Sequence, residues 1–141
     1  MLYILLAILF FGFLIAVHEF GHFMTAKLSG VKVNEFSIGM GPQLLKKQGK
    51  ETVYSLRLLP IGGFCAMEGE DESTDDPRSF AKASAWRRFL ILVAGSATNF
   101  LVGILILLCL FSTAKSTAVP TISSFADGCP AYTEGYLRSE E

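Results

Sequence analysis

His18 and His22 stand four positions apart, with Glu19 directly after the first of them. On a helix that spacing puts both imidazoles on one face, so two ring nitrogens can be directed to one metal ion. Zinc suits such donors, because its catalytic sites use imidazole nitrogen and keep one position open for water. Glu19 falls where its carboxylate can hold a water on that zinc and take its proton without itself being a ligand, the general-base role in metal-assisted peptide hydrolysis. Two histidines satisfied in the core helix of a soluble protein, or lying at an interface, would show the same spacing. Against that, both histidines of the chain are spent on this one motif.

The motif sits in an unusual element. No charged residue occurs from Met1 to Val17, and the apolar character continues through Phe20, Phe23 and Met24 until Lys27. Read as a helix over residues 2–26, this segment is roughly 37 Å long, enough to cross a hydrocarbon core of about 30 Å with some tilt. His18 then lies roughly 24 Å along it, closer to the cytoplasmic surface than to the outer one. An ionisable side chain near the centre of a membrane helix costs about 2.5–3.5 kcal/mol on insertion scales, so three together need a compensating role, which zinc coordination supplies. A cleaved signal peptide would need a basic start and a small-x-small cleavage site, and neither is visible.

A second run, Phe89 to Phe111, is uncharged over 23 positions and follows Arg87 and Arg88. It predicts a second spanning helix over 88–112, with Trp86 in the headgroup zone. Ten of the 12 lysines and arginines lie between Lys27 and Arg88. The excess of positive charge on cytoplasmic loops puts residues 27–88 inside the cell and both chain ends outside, in a multi-pass protein of the inner (plasma) membrane. Hydrophobic residues make up 51% of the chain, and nothing in its charge pattern supports nucleic-acid binding. The scattered Cys65, Cys109 and Cys129 read as unpaired thiols.

Between the helices, Val31 to Leu45 and Glu51 to Leu59 carry β-favouring residues, separated by Lys46-Lys47-Gln48-Gly49-Lys50 and punctuated by Gly39, Gly41, Pro42, Pro60, Gly62 and Gly63. This predicts a membrane-associated β-hairpin over 31–64. Its edge could pair with a substrate backbone that has been unwound in lipid, or the hairpin could be a plain cytoplasmic one with no substrate role. Six acids among the nine residues Glu68 to Asp76 predict a solvated linker over 68–79, with a helix starting near Asp76-Pro77 and leading to Trp86. In the second helix, Gly95-Ser96-Ala97-Thr98-Asn99 and Gly103 form a small-residue face that permits close helix approach. Asn99 could donate to a substrate carbonyl or oxyanion, or could hold two helices together.

Taken together, Val17-His18-Glu19-Phe20-Gly21-His22-Phe23, Gly39-Met40-Gly41-Pro42, Leu59-Pro60-Ile61-Gly62-Gly63-Phe64, Phe80, Trp86-Arg87-Arg88 and Gly95 through Phe100 resemble the site-2 protease family of intramembrane zinc metalloproteases. The likeness is to the bacterial branch that cleaves anti-sigma factors and remnant signal peptides, and it covers about residues 1–112. It implies an intramembrane endopeptidase with His18 and His22 as zinc ligands and Glu19 as catalytic base. It also implies a membrane-reentrant β-loop over the Gly39–Phe64 stretch and a Gly-x-x-x-Asn element at Gly95 and Asn99. The implied substrates are single-pass membrane proteins such as anti-sigma factors or remnant signal peptides. Where the family usually has Gly-Pro, this chain has Gly95-Ser96.

The family commonly continues into extracytoplasmic PDZ domains, and Ile122 to Ala131 looks like the start of one, so residues 113–141 read as a truncated PDZ-like segment. The family's third zinc ligand is an aspartate in a Leu-Asp-Gly motif on a later helix, and it has no counterpart here; Asp127, Glu134, Glu140 and Glu141 are expected across the membrane from His22. Catalytic zinc wants three protein ligands and a water. Two rival roles stay open: a non-catalytic membrane partner of the same family, and a soluble metalloprotease with a cleaved leader. With two convincing ligands, the purified 141-residue chain is expected to bind zinc weakly and to show little or no proteolysis. A peptide-cleavage assay that gives measurable turnover would refute this.

Overall fold

The computed structural model describes residues 1–72 and 74–113. Helix α1 spans Leu2–Leu28, strand β1 Val33–Gln48, strand β2 Val53–Met67 and helix α2 Ala85–Thr113. One compact unit runs from Met1 to Leu107; Leu108 begins a second, of which the described residues are the last turns of α2. Both helices are long and apolar enough to cross a membrane. Their side chains stand largely uncovered: Leu5, Phe10 and Phe13 on α1, and Leu92, Leu101 and Leu105 on α2, are all exposed. A surface of that extent is tolerated by lipid and not by water.

The two helices match the predicted spans within three residues at each end. Gly30 stops α1: at φ +77° it takes the left-handed conformation, and the amides of Gly30 and Val31 fold back on the carbonyls of Lys27 and Ala26. Lys27, in the last turn, complements the helix dipole. At α2 the reverse holds, since Arg87 and Arg88 lie in the first turn, where the dipole disfavours them.

The hairpin forms over 33–67, its second strand running on to Met67 rather than ending near Leu59, and it is folded on itself. Residues 33–38 pair antiparallel with 63–67, and residues 43–48 pair antiparallel with 53–57. In addition Glu35, Phe36, Ser37 and Ile38 lie beside Val53, Tyr54, Ser55 and Leu56 in rising order, so these stretches run side by side in the same direction. Each long strand therefore bends in its middle, around Gly39 and Gly41 in β1 and Gly62 in β2, all at positive φ. Gly-rich punctuation that read as strand ends is used for bends within continuous strands. Among the described residues, 63–67 has a strand partner on one side only.

Where α1 ends, Ala26, Val31, Val33, Cys65, Met67 and Ile91 form a small core, joined by Phe23, Phe36 and Phe80. From there the hairpin runs back along α1. Phe36 and Tyr54 pack on Phe23 with ring centroids 4.9 and 6.0 Å apart, Gly63 faces Glu19, and the Pro60 carbonyl closes on Gly12. A side chain at Gly12 would collide with that carbonyl.

The predicted helix from Asp76-Pro77 does not form; residues 77–83 make tight turns and α2 starts at Ala85. The Phe80 amide donates to the Glu68 carbonyl at 2.7 Å, which ties this stretch to the end of β2 and draws Phe80 into the core. Nor is the acidic segment simply solvated. Lys32 Nζ holds both Glu68 and Asp76 at 3.1 Å, and the Asn34 amide donates to Glu68 at 2.9 Å.

These contacts set a pH dependence. Glu68 is held below the usual carboxylate range by the Asn34 amide, then the Thr74 hydroxyl and Lys32. Asp76 is held down by the Arg78 backbone amide and then by Lys32, while Asp76 and Glu68 push Lys32 upward. A lowered carboxylate contributes stability above its ordinary value and loses it as pH falls through the folded one; a raised lysine contributes below its ordinary value and loses it as pH rises. Residues 68–80 should be held most firmly between about pH 5 and pH 10. Amide-exchange protection of this stretch is expected to fall between pH 7 and pH 3 relative to that of the strands, and equal relative protection at both values would contradict it.

Candidate metal centre

His18 and His22 project from one face of α1, and their Nε2 atoms approach to 3.1 Å with the rings edge to face. His22 Nδ1–H donates to the carbonyl of Ile91 on α2 at 2.7 Å. That bond fixes the tautomer: His22 presents the lone pair of Nε2, and His18 Nε2–H donates into it. Ligating histidines are ordinarily oriented by such a bond from the far nitrogen.

The space in front of the two imidazoles exists because residue 95 has no side chain. A Cβ on Gly95 would lie 2.5 Å from His22 Nε2 and 2.6 Å from His18 Nε2, within the room that both nitrogens face. Two nitrogens bound to one tetrahedral zinc at about 2.0–2.1 Å stand roughly 3.3 Å apart, close to the separation seen. Donor type, spacing and the glycine-made space therefore fit a zinc ion. Among the described residues no third histidine, cysteine or carboxylate joins them.

A second glycine makes the same helix contact possible. Gly21 packs so closely on α2 that a Cβ there would lie 2.5 Å from Thr98 Oγ1 and 2.6 Å from the Ala94 carbonyl. Thr98 turns its hydroxyl back onto that carbonyl at 2.7 Å and leaves no donor loose at the crossing. Gly21 and Gly95 thus bring α2 against the His-Glu-x-x-His face. Gly103, counted with the small-residue face, meets nothing within 4 Å and has no part in the close approach. Asn99, one turn beyond Gly95, has a buried Oδ1 with no hydrogen-bond partner among the described residues, so it does not tie the helices together there.

Glu19 lines, with His22, Phe64, Cys65, Met67 and Glu70, a cavity of about 560 Å³ beside the histidine pair. The wall opposite α1 is the end of β2, the stretch with one free edge. Sequence reasoning singled out Gly62, Gly63 and Phe64 but not Cys65 and Met67, whose signal is their position directly after that motif. Also missed was the polar cluster behind that wall. Arg57 donates to Glu35 at 3.0 Å, to Ser37 Oγ at 2.9 Å and to the Gly41 carbonyl at 3.0 Å, and its guanidinium lies 5.0 Å from the centre of the Phe64 ring. A Glu and an Arg within an apolar hairpin are a readable signal of such a pair.

The sequence profile of peptidase family M50, the site-2 proteases, matches residues 6–136, and the chain belongs to that family. It is 48% identical to a Clostridium acetobutylicum protein over 91% of this chain and 38% of that one, and 40% identical to a Clostridium perfringens protein over 99% and 42%. A Fusobacterium nucleatum protein is 45% identical over 79% of this chain and 32% of its own length. All three are provisionally named zinc metalloproteases. The chain spans less than half the length of each of these relatives. It is a membrane protein; the expected PDZ-like segment, 113–141, lies outside the described residues apart from Thr113, the last residue of α2.

A methyl group at residue 95 would occupy the room in front of both nitrogens. Gly95→Ala is therefore expected to weaken zinc uptake by about tenfold or more, in the range of changes beside metal ligands. Zinc titration of the detergent-solubilised chain checks this alongside helix content by circular dichroism, and an unchanged affinity would contradict it.

Proposed function

We propose that the chain is the zinc-holding front portion of an intramembrane endopeptidase, with His18 and His22 as ligands and Glu19 as general base. The observation that carries this is the His22 pair of bonds: Nδ1 fixed on the Ile91 carbonyl and Nε2 aimed with His18 Nε2 at the space left by Gly95. The third ligand is proposed to be an aspartate on a further helix of the whole protein, as the family resemblance implies. Zinc, when bound, polarises a scissile carbonyl and lowers the pKa of a water it holds.

Glu19 does the proton work. Its carboxylate, free of any hydrogen bond or ion pair among the described residues, faces the cavity and takes the proton of the attacking water, then delivers it to the departing amide nitrogen as the C–N bond breaks. Asn99 can direct its Nδ2–H at the carbonyl oxygen, while its buried Oδ1, unpartnered among the described residues, is free to accept from a substrate amide.

The substrate is proposed to be the transmembrane segment of a single-pass protein, such as an anti-sigma factor or a remnant signal peptide. If α1 crosses the bilayer with its end in the cytoplasm, the hairpin that packs from Phe23 to Gly12 descends into the inner half of the membrane. The topology proposed is both chain ends outside and residues 27–88 on the cytoplasmic side. A substrate helix unwound there needs partners for its backbone, and the free edge of residues 63–67, beside Glu19, offers them by strand addition.

Glu19→Gln keeps the size of the side chain and removes the base. In cells that carry the full-length protein with a transmembrane reporter substrate, cleavage is expected to fall by about 10²- to 10⁴-fold while bound zinc is retained. Unchanged cleavage would favour the other reading, a non-catalytic membrane partner.

A further inference from the structure

Beside the contact of Phe36 and Tyr54 with Phe23 of α1, the hairpin carries a groove with no place in the proteolytic reading. It has a volume of about 560 Å³ and is lined by Phe36, Ile38, Leu45, Tyr54 and Leu56, with Lys46 and Lys47 at its border. Leu45 and Leu56 are 67% and 42% exposed, so the groove lies open along one side. Neither lysine forms an ion pair among the described residues, whereas Lys27, Lys32, Lys82, Arg57 and Arg78 all do.

The depth of this groove follows from its neighbours. The turn between the strands is level with the end of α1, because Lys27 Nζ meets Glu51 at 3.5 Å and Thr52 Oγ1 donates to the Val33 carbonyl at 2.7 Å. Lys47 pairs with Tyr54 and Lys46 with Ser55, two and three residues in from Thr52. At about 3.3 Å per residue they lie roughly 7–10 Å from the turn. If the end of α1 marks the membrane boundary, that is where headgroups give way to acyl chains. A charged lysine there extends its stem along apolar surface and places its ammonium among the headgroups. Below it, Leu45, Leu56 and Ile38 present a hydrocarbon-lined trough. Two unpaired ammonium groups over such a trough are complementary to one class of molecule, a lipid with an anionic headgroup and acyl chains.

We propose that this groove is a binding site for an anionic phospholipid, with Lys46 and Lys47 on the headgroup phosphate and an acyl chain along Phe36, Ile38, Leu45 and Leu56. It requires insertion of the hairpin into the membrane and is independent of whether the chain cuts peptides. Lys50, in the same basic run, adds to the local field without lining the groove. The lipid would hold the hairpin at a fixed depth beside α1.

The test uses the full chain in lipid nanodiscs of phosphatidylcholine with a trace of spin-labelled phosphatidylglycerol or spin-labelled phosphatidylcholine, read by electron paramagnetic resonance as the immobilised fraction of each. Wild type is expected to immobilise phosphatidylglycerol in preference. Lys46→Gln with Lys47→Gln is expected to reduce that preference by about fivefold per lysine, the factor that about 1 kcal/mol per surface charge implies. Leu56→Trp, which fills the trough and keeps both charges, is expected to reduce immobilisation of both lipids. Arg87→Gln with Arg88→Gln removes the same charge from the start of α2 and is expected to leave the preference unchanged. Equal loss in that control would overturn the proposal in favour of diffuse attraction, and an unchanged preference in the lysine pair would overturn it in favour of another occupant such as an acidic peptide.

Discussion

The described structure depends on one contact, the approach of the α2 backbone to the histidine face of α1. Gly95 leaves open the space in front of two imidazole nitrogens, and the Ile91 carbonyl, one turn earlier, takes the proton on the far side of His22. Both come from backbone atoms of a helix, whose positions do not depend on rotamers. Gly21 and Ala94 set the distance between the helices, because any larger residue at Gly21 would strike a carbonyl. Apolar helices in lipid gain little by associating through large side chains, so small residues that let backbones touch supply the packing. Here that packing also orients the imidazole of His22.

Around that contact the hairpin solves a second problem. A strand that lay beside a spanning helix within lipid would have to satisfy its backbone without water. Bending β1 and β2 on themselves lets residues 33–38 pair on both sides, and the Arg57 cluster takes up Glu35, Ser37 and the Gly41 carbonyl at the bend. Among the described residues two edges stay unpaired, that of 43–48 on one side and that of 63–67 on the other, and 63–67 is the one that lines the cavity of Glu19. The Lys32 cluster, outside the spanning helices, fastens the return from β2 to α2.

Much of this was legible in the sequence because bilayers impose simple rules. Uncharged runs of fixed length gave both helices, and the spacing of His18, Glu19 and His22 gave the face that bears them. The hairpin was legible as β structure but not in its true extent, since Gly39, Gly41, Gly62 and Pro60 signal bends as readily as ends. The missing helix after Asp76 shows a local signal overridden by tertiary bonds, with Phe80 held by Glu68. No pattern in the chain could tell that His22 would find the carbonyl of Ile91, because backbone acceptors carry no sequence signature. The sequence shows Gly95 only as a small residue, whereas the reason for its smallness, two nitrogens facing the position of its absent Cβ, lies in the three-dimensional arrangement.

The central claim, that two imidazoles on α1 share a zinc ion in the space made by Gly95, is tested most directly by zinc X-ray absorption spectroscopy. The measurement is best made on detergent-solubilised protein extended to the length of its relatives. The account predicts a first shell with two imidazole nitrogens at about 2.0–2.1 Å, reduced by one in His18→Ala or His22→Ala. A zinc shell without imidazole, or one indifferent to both substitutions, would contradict it.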